Sequence, residues 1–198
     1  MKRSLLLLPL MLLAAGFANA SILNTYNTQA SFDAALNPGY YDEPFTTFRS
    51  AASLGYSGGL GFSYRISDGY GVQTSNKWIQ ESGIAPDTIT ITFNSGTVTA
   101  IGADFFAVNW LALPTAATDT VTFSDGSSRT FSTTTSTGTF TGWVFSTPIT
   151  SMTFNAGSSS RWAALDNLDV GTAAPEPGSW TLLVAGAGLL ALAKRRRR

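Results

Sequence analysis

The chain has 198 residues with 12 basic and 12 acidic side chains, and it contains neither cysteine nor histidine. It therefore cannot form a disulfide, a Ser-His-Asp or Cys-His catalytic site, or a zinc site with the usual nitrogen and sulfur ligands. Seven of the basic residues lie in the first three and last five positions, and one acid, Glu176, lies near the C-terminal end, so residues 21–174 carry 11 acids against 5 bases. Such an acidic segment lacks the basic surface that nucleic-acid binding requires.

The first 20 residues predict a cleaved signal peptide. Lys2 and Arg3 form a basic start, residues 4–17 form a leucine-rich apolar stretch, and Ala18 and Ala20 occupy the small-residue positions of a cleavage site. An uncleaved N-terminal anchor is the alternative, but polar, strand-like residues follow the cleavage site immediately. We therefore expect export and removal of residues 1–20 by signal peptidase.

Residues 21–172 are expected to form one all-β domain. Thr, Ser, Gly and aromatic residues are abundant and Lys and Glu are scarce, which is typical of pleated strands joined by tight turns. One short helix is expected at residues 31–36. Strict alternation in residues 88–93 predicts a strand with one apolar face, formed by Ile89, Ile91 and Phe93.

Further strands are expected along the second half of the chain. They cover residues 97–108, 120–123, 129–132, 138–146, 148–154 and 162–170, and the second and third of these form a hairpin. This many short strands at regular spacing predicts an antiparallel, jelly-roll-like β-sandwich. The least regular part of the domain is the segment 67–86.

Residues 173–198 have the features of a terminal sorting signal. The tripeptide at residues 175–177 (Pro-Glu-Pro) precedes an apolar helix at residues 178–193 and a basic tail at residues 194–198. The uncharged residues 180–193 reach about 21 Å as a helix, against a hydrocarbon core of about 30 Å. Such a helix suits a temporary hold at a membrane, and the basic tail places the preceding domain outside the cytoplasm.

Together with the signal peptide, this tail resembles the sorting signal of PEP-CTERM proteins. The resemblance implies transient anchoring in the inner membrane of a Gram-negative bacterium, recognition of Pro175, Glu176 and Pro177 by an exosortase, and delivery to the cell surface or the medium. Ectodomains of this family are often linked to exopolysaccharide and biofilm matrix. The name ice-binding-protein C-terminal domain is also used for such tails, and it implies no ice binding. An ordinary C-terminal anchor is the alternative.

Three carboxylates are candidate calcium ligands. Alternation in the last strand predicts a face that Asp166 shares with Ala164, Leu168 and Val170. A carboxylate that faces apolar side chains needs a partner. The strand resembles the closing strand of jelly-roll carbohydrate-binding modules, in which an aspartate helps hold a structural calcium ion, and the resemblance implies Glu43 or Asp42 as a further ligand. The alternative is that Asp166 accepts hydrogen bonds from backbone N–H groups or Arg161.

Aromatic side chains are candidates for stacking on sugar rings. The tryptophans available for this are Trp78, Trp110, Trp143 and Trp162. Most aromatic residues of such a domain belong to its core, and Trp143 is expected to pack there. Trp78 and Tyr70 are the preferred glycan-stacking residues because they lie in the irregular segment 67–86, where binding loops are expected.

These features predict a non-enzymatic surface protein, a matrix or adhesion component that binds exopolysaccharide. One alternative is a structural envelope protein without a ligand. A second is a domain like a carbohydrate-binding module, with a structural calcium ion. A third is a glycoside hydrolase that uses a pair of carboxylates.

Overall fold

The computed structural model describes residues 21–58, 61–74, 77–81, 88–94, 97–134, 138–157 and 160–174. The predicted signal peptide, sorting motif, apolar helix and basic tail lie outside these residues. Within the described part of the chain, no helix has both the length and the apolar character needed to span a membrane.

The described residues form thirteen strands and one short helix. In chain order these are β1 (Ile22–Tyr26), α1 (Gln29–Asp33), β2 (Tyr41–Glu43), β3 (Ser50–Ser57), β4 (Ser63–Thr74), β5 (Ile79–Glu81), β6 (Ile89–Phe93), β7 (Ala100–Val108), β8 (Pro114–Thr115), β9 (Ala117–Phe123), β10 (Ser128–Thr133), β11 (Thr139–Phe145), β12 (Ser151–Asn155) and β13 (Trp162–Gly171).

All of these strands belong to one antiparallel sheet. The strands are hydrogen-bonded in the order β1, β11, β7, β13, β5, β4, β6, β12, β9 and β10, while β2 pairs with β13, β3 with β4, and β8 with β7. The sheet curls so that its two halves enclose one core. Ring centroids of Phe105 in β7 and Phe154 in β12 lie 5.1 Å apart, as do those of Phe123 in β9 and Trp143 in β11. The predicted all-β, antiparallel class is confirmed, and the two layers are halves of one continuous sheet.

Alternating side chains build the core between the two halves. Ile89, Ile91 and Phe93 of β6 are buried, whereas Thr92 is exposed, as the sequence pattern predicts. Trp143 is 1% exposed and packs against Phe123, which confirms its predicted core role. Burial of each such large apolar side chain contributes about 1.5–3 kcal/mol to folding.

The helix α1 covers part of the opposite, outer surface of the sheet. Its cap is Thr28, whose Oγ1 accepts a hydrogen bond from the Ser31 N–H at 3.3 Å. Phe32 lies directly on the sheet, because a Cβ added at Gly142 would come within 2.5 Å of its ring. This cap starts the helix two residues earlier than predicted, and the helix ends at Asp33 rather than at residue 36.

The predicted irregularity of residues 67–86 is wrong for residues 67–74, which belong to β4. Asp68 explains how a polar, glycine-containing stretch remains in a strand. Its Oδ1 accepts hydrogen bonds from the backbone N–H groups of Tyr70 and Gly71. The side chain thus satisfies backbone donors where a regular strand would be interrupted.

The predicted face of Asp166 is also wrong, because a β-bulge interrupts β13. The register with β7 shifts between Asp166 and Asp169, and Asn167 has a φ of 47°. The extra residue reverses the alternation. The main core therefore receives Ala163, Leu165, Leu168 and Val170, while Ala164 packs in a separate outer cluster. Asp166 faces away from Leu168 and Val170.

Candidate functional site

The outer surface of the sheet brings together side chains from three neighbouring strands. β13 pairs Ala164 with Phe106 and Asp166 with Asp104 of β7, and it pairs Ala164 with Gln80 of β5. Continuing the β5 register by one residue places Trp78 beside Asp166. We call this surface the outer face, and its residues are Trp78, Gln80, Asp104, Phe106, Asp166 and Asn167.

Trp78 is half-buried and held in a defined orientation. Its indole Nε1–H donates a hydrogen bond of 2.8 Å to Gln80 Oε1, and its ring centroid lies 5.4 Å from that of Phe106 at an interplanar angle of 88°. Together with Trp162 it packs on a small apolar cluster of Phe106, Val108 and Ala164. Ala164 lies between Gln80 and Phe106 in the pairing, and its small side chain leaves room for the Trp78 indole to reach Phe106 across β13.

Two half-buried carboxylates share the outer face with this tryptophan. Asn167 Nδ2 donates a hydrogen bond of 2.7 Å to Asp104 Oδ2, and the Asn167 backbone N–H donates one of 2.8 Å to Asp166 Oδ1. Burial raises the pKa of Asp104. Burial, with the charges of Asp104 and Asp42 adding to it, raises the pKa of Asp166 to about 6.

A second group of carboxylates lies farther along the same strand. We call Asp33, Asp42 and Asp169 the Asp169 cluster. Asp169 lies opposite Asp42 in the β13–β2 pairing, and its Oδ2 accepts a hydrogen bond of 3.1 Å from Gln29 Nε2. Asp169 is 0% exposed, and among the described residues neither its Oδ1 nor the buried Oδ1 of Asp33 has a hydrogen-bond partner.

The Asp169 cluster brings three carboxylates together with hydrogen-bond donors from Gln29 and Tyr40 but without a compensating positive charge among the described residues. The pKa of Asp169 is raised to about 8. Burial is the main cause, and the negative charges of Asp33 and Asp42 contribute to the same rise. No lysine or arginine among the described residues contributes to this shift. Because uncompensated buried charge is costly, the cluster requires either a bound proton or a cation.

The structure separates Glu43 from Asp42 and Asp166, the other two predicted calcium ligands. Glu43 lies opposite Leu168 in the β13–β2 pairing, so it points toward the core side of β2, away from Asp42. Both of its oxygens have partners, because Oε2 accepts from the Tyr41 hydroxyl at 2.8 Å and Oε1 from the Phe45 N–H at 2.9 Å. Within the described residues, no three His, Cys, Asp or Glu side chains are already placed to hold a metal ion. The hydrogen bond from the Asn167 backbone N–H to Asp166 Oδ1 agrees with the alternative role of Asp166, that of an acceptor for backbone N–H groups.

The two predicted stacking residues have different surroundings. Trp78 belongs to the outer face, whereas Tyr70 is 64% exposed on β4. Sequence reasoning underrated Trp110, which is 78% exposed in the loop after β7. Asn109 fixes this loop, because its Oδ1 accepts hydrogen bonds from the N–H groups of Leu111 and Leu113. The sequence does carry a signal for this exposed tryptophan, which is the uncharged, apolar run of residues just after a predicted strand.

Comparisons with known proteins identify the C-terminal tail. Residues 173–198 match the model of the PEP-CTERM protein-sorting motif, which confirms the resemblance drawn from the sequence. Among solved structures, the chain is similar to a Podospora anserina GH26-CBM35 beta-(1,4)-mannanase at 12% identity and a TM-score of 0.39, over 71% of this chain and 29% of that one. It is similar to CtCBM11 at 14% identity and a TM-score of 0.30, over 81% of this chain and 99% of that one.

These structural likenesses are too low to support a functional argument. The chain spans less than a third of the mannanase chain. No curated protein sequence matches this chain significantly.

Proposed function

We propose that this chain, which carries a C-terminal PEP-CTERM sorting motif, is a non-enzymatic matrix or adhesion protein that binds exopolysaccharide at the cell surface. The observation that carries the proposal is the motif match at residues 173–198, directly after the last strand of the β domain. The motif supports export and processing by an exosortase. Its position makes the β domain the part that is delivered to the surface.

The outer face supports the binding half of the proposal. An indole ring such as that of Trp78 offers a flat apolar surface for the C–H groups of a sugar ring. Beside it, Asp104 and Asp166 accept hydrogen bonds from sugar hydroxyls, and the amides of Gln80 and Asn167 both donate and accept. Ligand sites of this kind combine aromatic surface with a few fixed polar groups.

Charge indicates which polysaccharides this face accepts. The domain carries 11 acids against 5 bases, and both ionisable groups of the outer face are carboxylates. A ligand with uronic acid or sulfate groups meets repulsion there. The proposed ligand is therefore a neutral polysaccharide, or one that carries amino groups.

Binding of the secreted protein to separated neutral and acidic polysaccharide fractions tests this proposal. We expect retention by the neutral fraction and loss of retention in Trp78→Ala, since stacking on one aromatic ring contributes much of the affinity for a sugar. Trp110→Ala is the matched control, because it removes a more exposed tryptophan outside the outer face. Binding that depends on Trp110 and not on Trp78 would move the site to the loop after β7.

The same preparation tests for catalysis. Asp104 and Asp166 are paired across two strands, and a pair of carboxylates is the minimum equipment of a glycoside hydrolase. We expect no release of reducing sugar from any bound polysaccharide. Release that is abolished by Asp104→Asn or Asp166→Asn would assign the hydrolase alternative instead.

A structural calcium ion is the second candidate, and the uncompensated Asp169 cluster favours it. The sequence predicts Asp42, Glu43 and Asp166 as the ligand set. Because the Glu43 oxygens are occupied by hydrogen bonds, the proposed site is Asp42 with Asp33 and Asp169. Calcium prefers six to eight oxygen ligands, so backbone or water oxygens and some side-chain movement would complete the shell.

Thermal unfolding with and without calcium tests this second candidate. If the ion binds, calcium raises Tm and EGTA reverses the rise, whereas Asp169→Asn removes the response. Asp125→Asn, in the β9–β10 turn, is the control and keeps the response. A Tm that is the same in calcium and in EGTA would rule out the ion and leave protons as the compensation for these carboxylates.

A further inference from the structure

The last described residues are clamped to the segment that follows α1. Asn37 N–H donates to Thr172 O at 2.9 Å, and Asn37 Nδ2 donates to Thr172 Oγ1 and Ala173 O, both at 3.1 Å. Ala174 N–H donates to Ala35 O at 2.8 Å. We call these contacts the exit clamp, formed by Ala35, Leu36 and Asn37 on one side and by Thr172, Ala173 and Ala174 on the other.

The exit clamp ends immediately before the sorting motif. Pro175 is the residue after Ala174, so the Pro-Glu-Pro sequence directly follows the last hydrogen-bonded residue that the structure describes. Thr172 O, both backbone groups of Ala173 and the Ala174 N–H are already used within the fold. Ala173 N–H, for example, donates to Thr99 Oγ1 at 2.9 Å.

An enzyme that binds an extended peptide commonly forms hydrogen bonds with backbone groups of the kind that the exit clamp uses. Extended peptides are recognised through main-chain N–H and C=O groups, with pockets for alternate side chains. An enzyme that grips the residues just before Pro175 therefore competes with Asn37 and Ala35 for one set of hydrogen bonds.

We propose that the exit clamp must open before an exosortase can engage the motif, so that Asn37 sets the rate of tail processing. This inference rests on the proposed sorting function. The chemistry of the partner is that of an enzyme that binds the chain in extended form across the boundary between Ala174 and Pro175.

Burial limits how far the chain can peel away. Residues 172–174 are half-buried, whereas Gly171 and Val170 are buried. Gly171 also packs tightly, since a Cβ added there would lie 2.9 Å from Tyr40 Cβ. On the other side, Phe32 anchors α1 on the sheet. Opening therefore frees three residues and leaves the domain folded.

The test measures the half-time of tail removal in the bacterium that makes the protein, by pulse labelling and immunoblotting of the full chain. Asn37→Ala removes two side-chain hydrogen bonds, and we expect roughly tenfold faster processing from the larger open population. Insertion of Gly-Ser-Gly-Ser between Ala174 and Pro175 supplies free backbone without disturbing the clamp, and it should also accelerate processing. Asn155→Ala, on β12, is the matched control and keeps the wild-type rate.

The outcomes separate this inference from the proposed function. Processing of either the Asn37→Ala or the insertion variant at the wild-type rate or slower would overturn the role of the clamp. The insertion keeps the test valid even where Asn37→Ala lowers the Tm of the domain. Glu176→Ala tests sorting itself, because wild-type processing of that variant would contradict exosortase recognition of the motif whatever the clamp does.

Discussion

Phe105 and Phe106 are neighbours in β7 and both are 0% exposed, yet they belong to different environments. Phe105 points into the main core, where its ring contacts those of Phe131, Trp143 and Phe154. Phe106 points to the outer face, where its ring partner is Trp78 and the next outward residue in its strand is Asp104. Around Phe105 the core side is packed with aromatic rings, whereas around Phe106 the outer side combines an aromatic cluster with half-buried carboxylates. Elsewhere the core side also holds the buried carboxylates Asp119 and Glu81.

The difference indicates where this sequence departs from the demands of folding alone. Half-buried or buried carboxylates without cations cost stability, and apolar residues of similar size would avoid that cost. Such departures are expected at sites of function. The partly exposed carboxylates beside Trp78 therefore make the outer face the candidate place for the proposed binding.

The largest expected effect comes from truncating the two phenylalanines. Phe105→Ala should lower the free energy of unfolding by about 3–5 kcal/mol, since it opens a cavity among several rings. Phe106→Ala should cost less, about 2–3 kcal/mol, because the outer cluster is small and Trp78 can settle into the space. Urea denaturation of both variants measures the two losses. Equal losses would show that the outer cluster is as important for stability as the main core.

The next effect is the pH dependence that Asp169 imposes on stability. Because its folded-state pKa is raised to about 8, the folded protein holds a proton that the unfolded chain releases near pH 4. Stability is therefore highest at acidic pH and falls as pH rises from about 4 to about 8. Asp169→Asn removes the titrating group, so its stability should vary less over this range and exceed that of wild type at pH 9 by a few kcal/mol, on the order set by the shift.

Thermal unfolding in EGTA from pH 4 to pH 9 measures this dependence without interference from calcium. Asp125→Asn serves as the control, because it removes a carboxylate in the β9–β10 turn, outside the Asp169 cluster. A wild-type Tm that rises between pH 6 and pH 9 would contradict the charge assignment of the Asp169 cluster.

The local pattern of this sequence predicts individual strands well. The alternation of Ile89, Ile91 and Phe93 yields β6, and the turn residues after Phe123 yield the β9–β10 hairpin, because both depend on neighbouring residues alone. The pattern fails at β13, where Asn167 adopts a positive φ. A bulge changes the phase of alternation, and a simple alternating pattern carries no sign of it.

The candidate site is less predictable because it depends on pairing between distant segments. Asp104 and Asp166 are 62 positions apart in the sequence, and they meet only through the register of β7 with β13. The meeting of Asp42 with Asp169 likewise depends on the β2–β13 register. Residue types identified Trp78, Asp42 and Asp166 as candidates, but only the topology shows that Trp78 and Asp166 share a surface and that Glu43 does not join them.

The smallest expected effect concerns the charge coupling within the outer face. Asp104→Asn removes the nearer negative charge while its amide oxygen still accepts the hydrogen bond from Asn167. The pKa of Asp166, about 6 in the wild type, should fall by less than one unit, which corresponds to about 1 kcal/mol or less. It should stay above the usual aspartate range, because burial is the main cause of the shift. Stability would then decline less steeply as pH rises from about 4 to about 6.

Carbon NMR titration of the Asp166 carboxyl group measures this coupling directly. Asp42→Asn is the matched comparison and should lower the pKa of Asp166 less, because the charge of Asp104 contributes more to the shift. A larger fall in the Asp42 variant would mean that Asp166 interacts mainly with the Asp169 cluster. The two acidic groups would then be parts of one site, and the outer face could not be separated from the proposed calcium position.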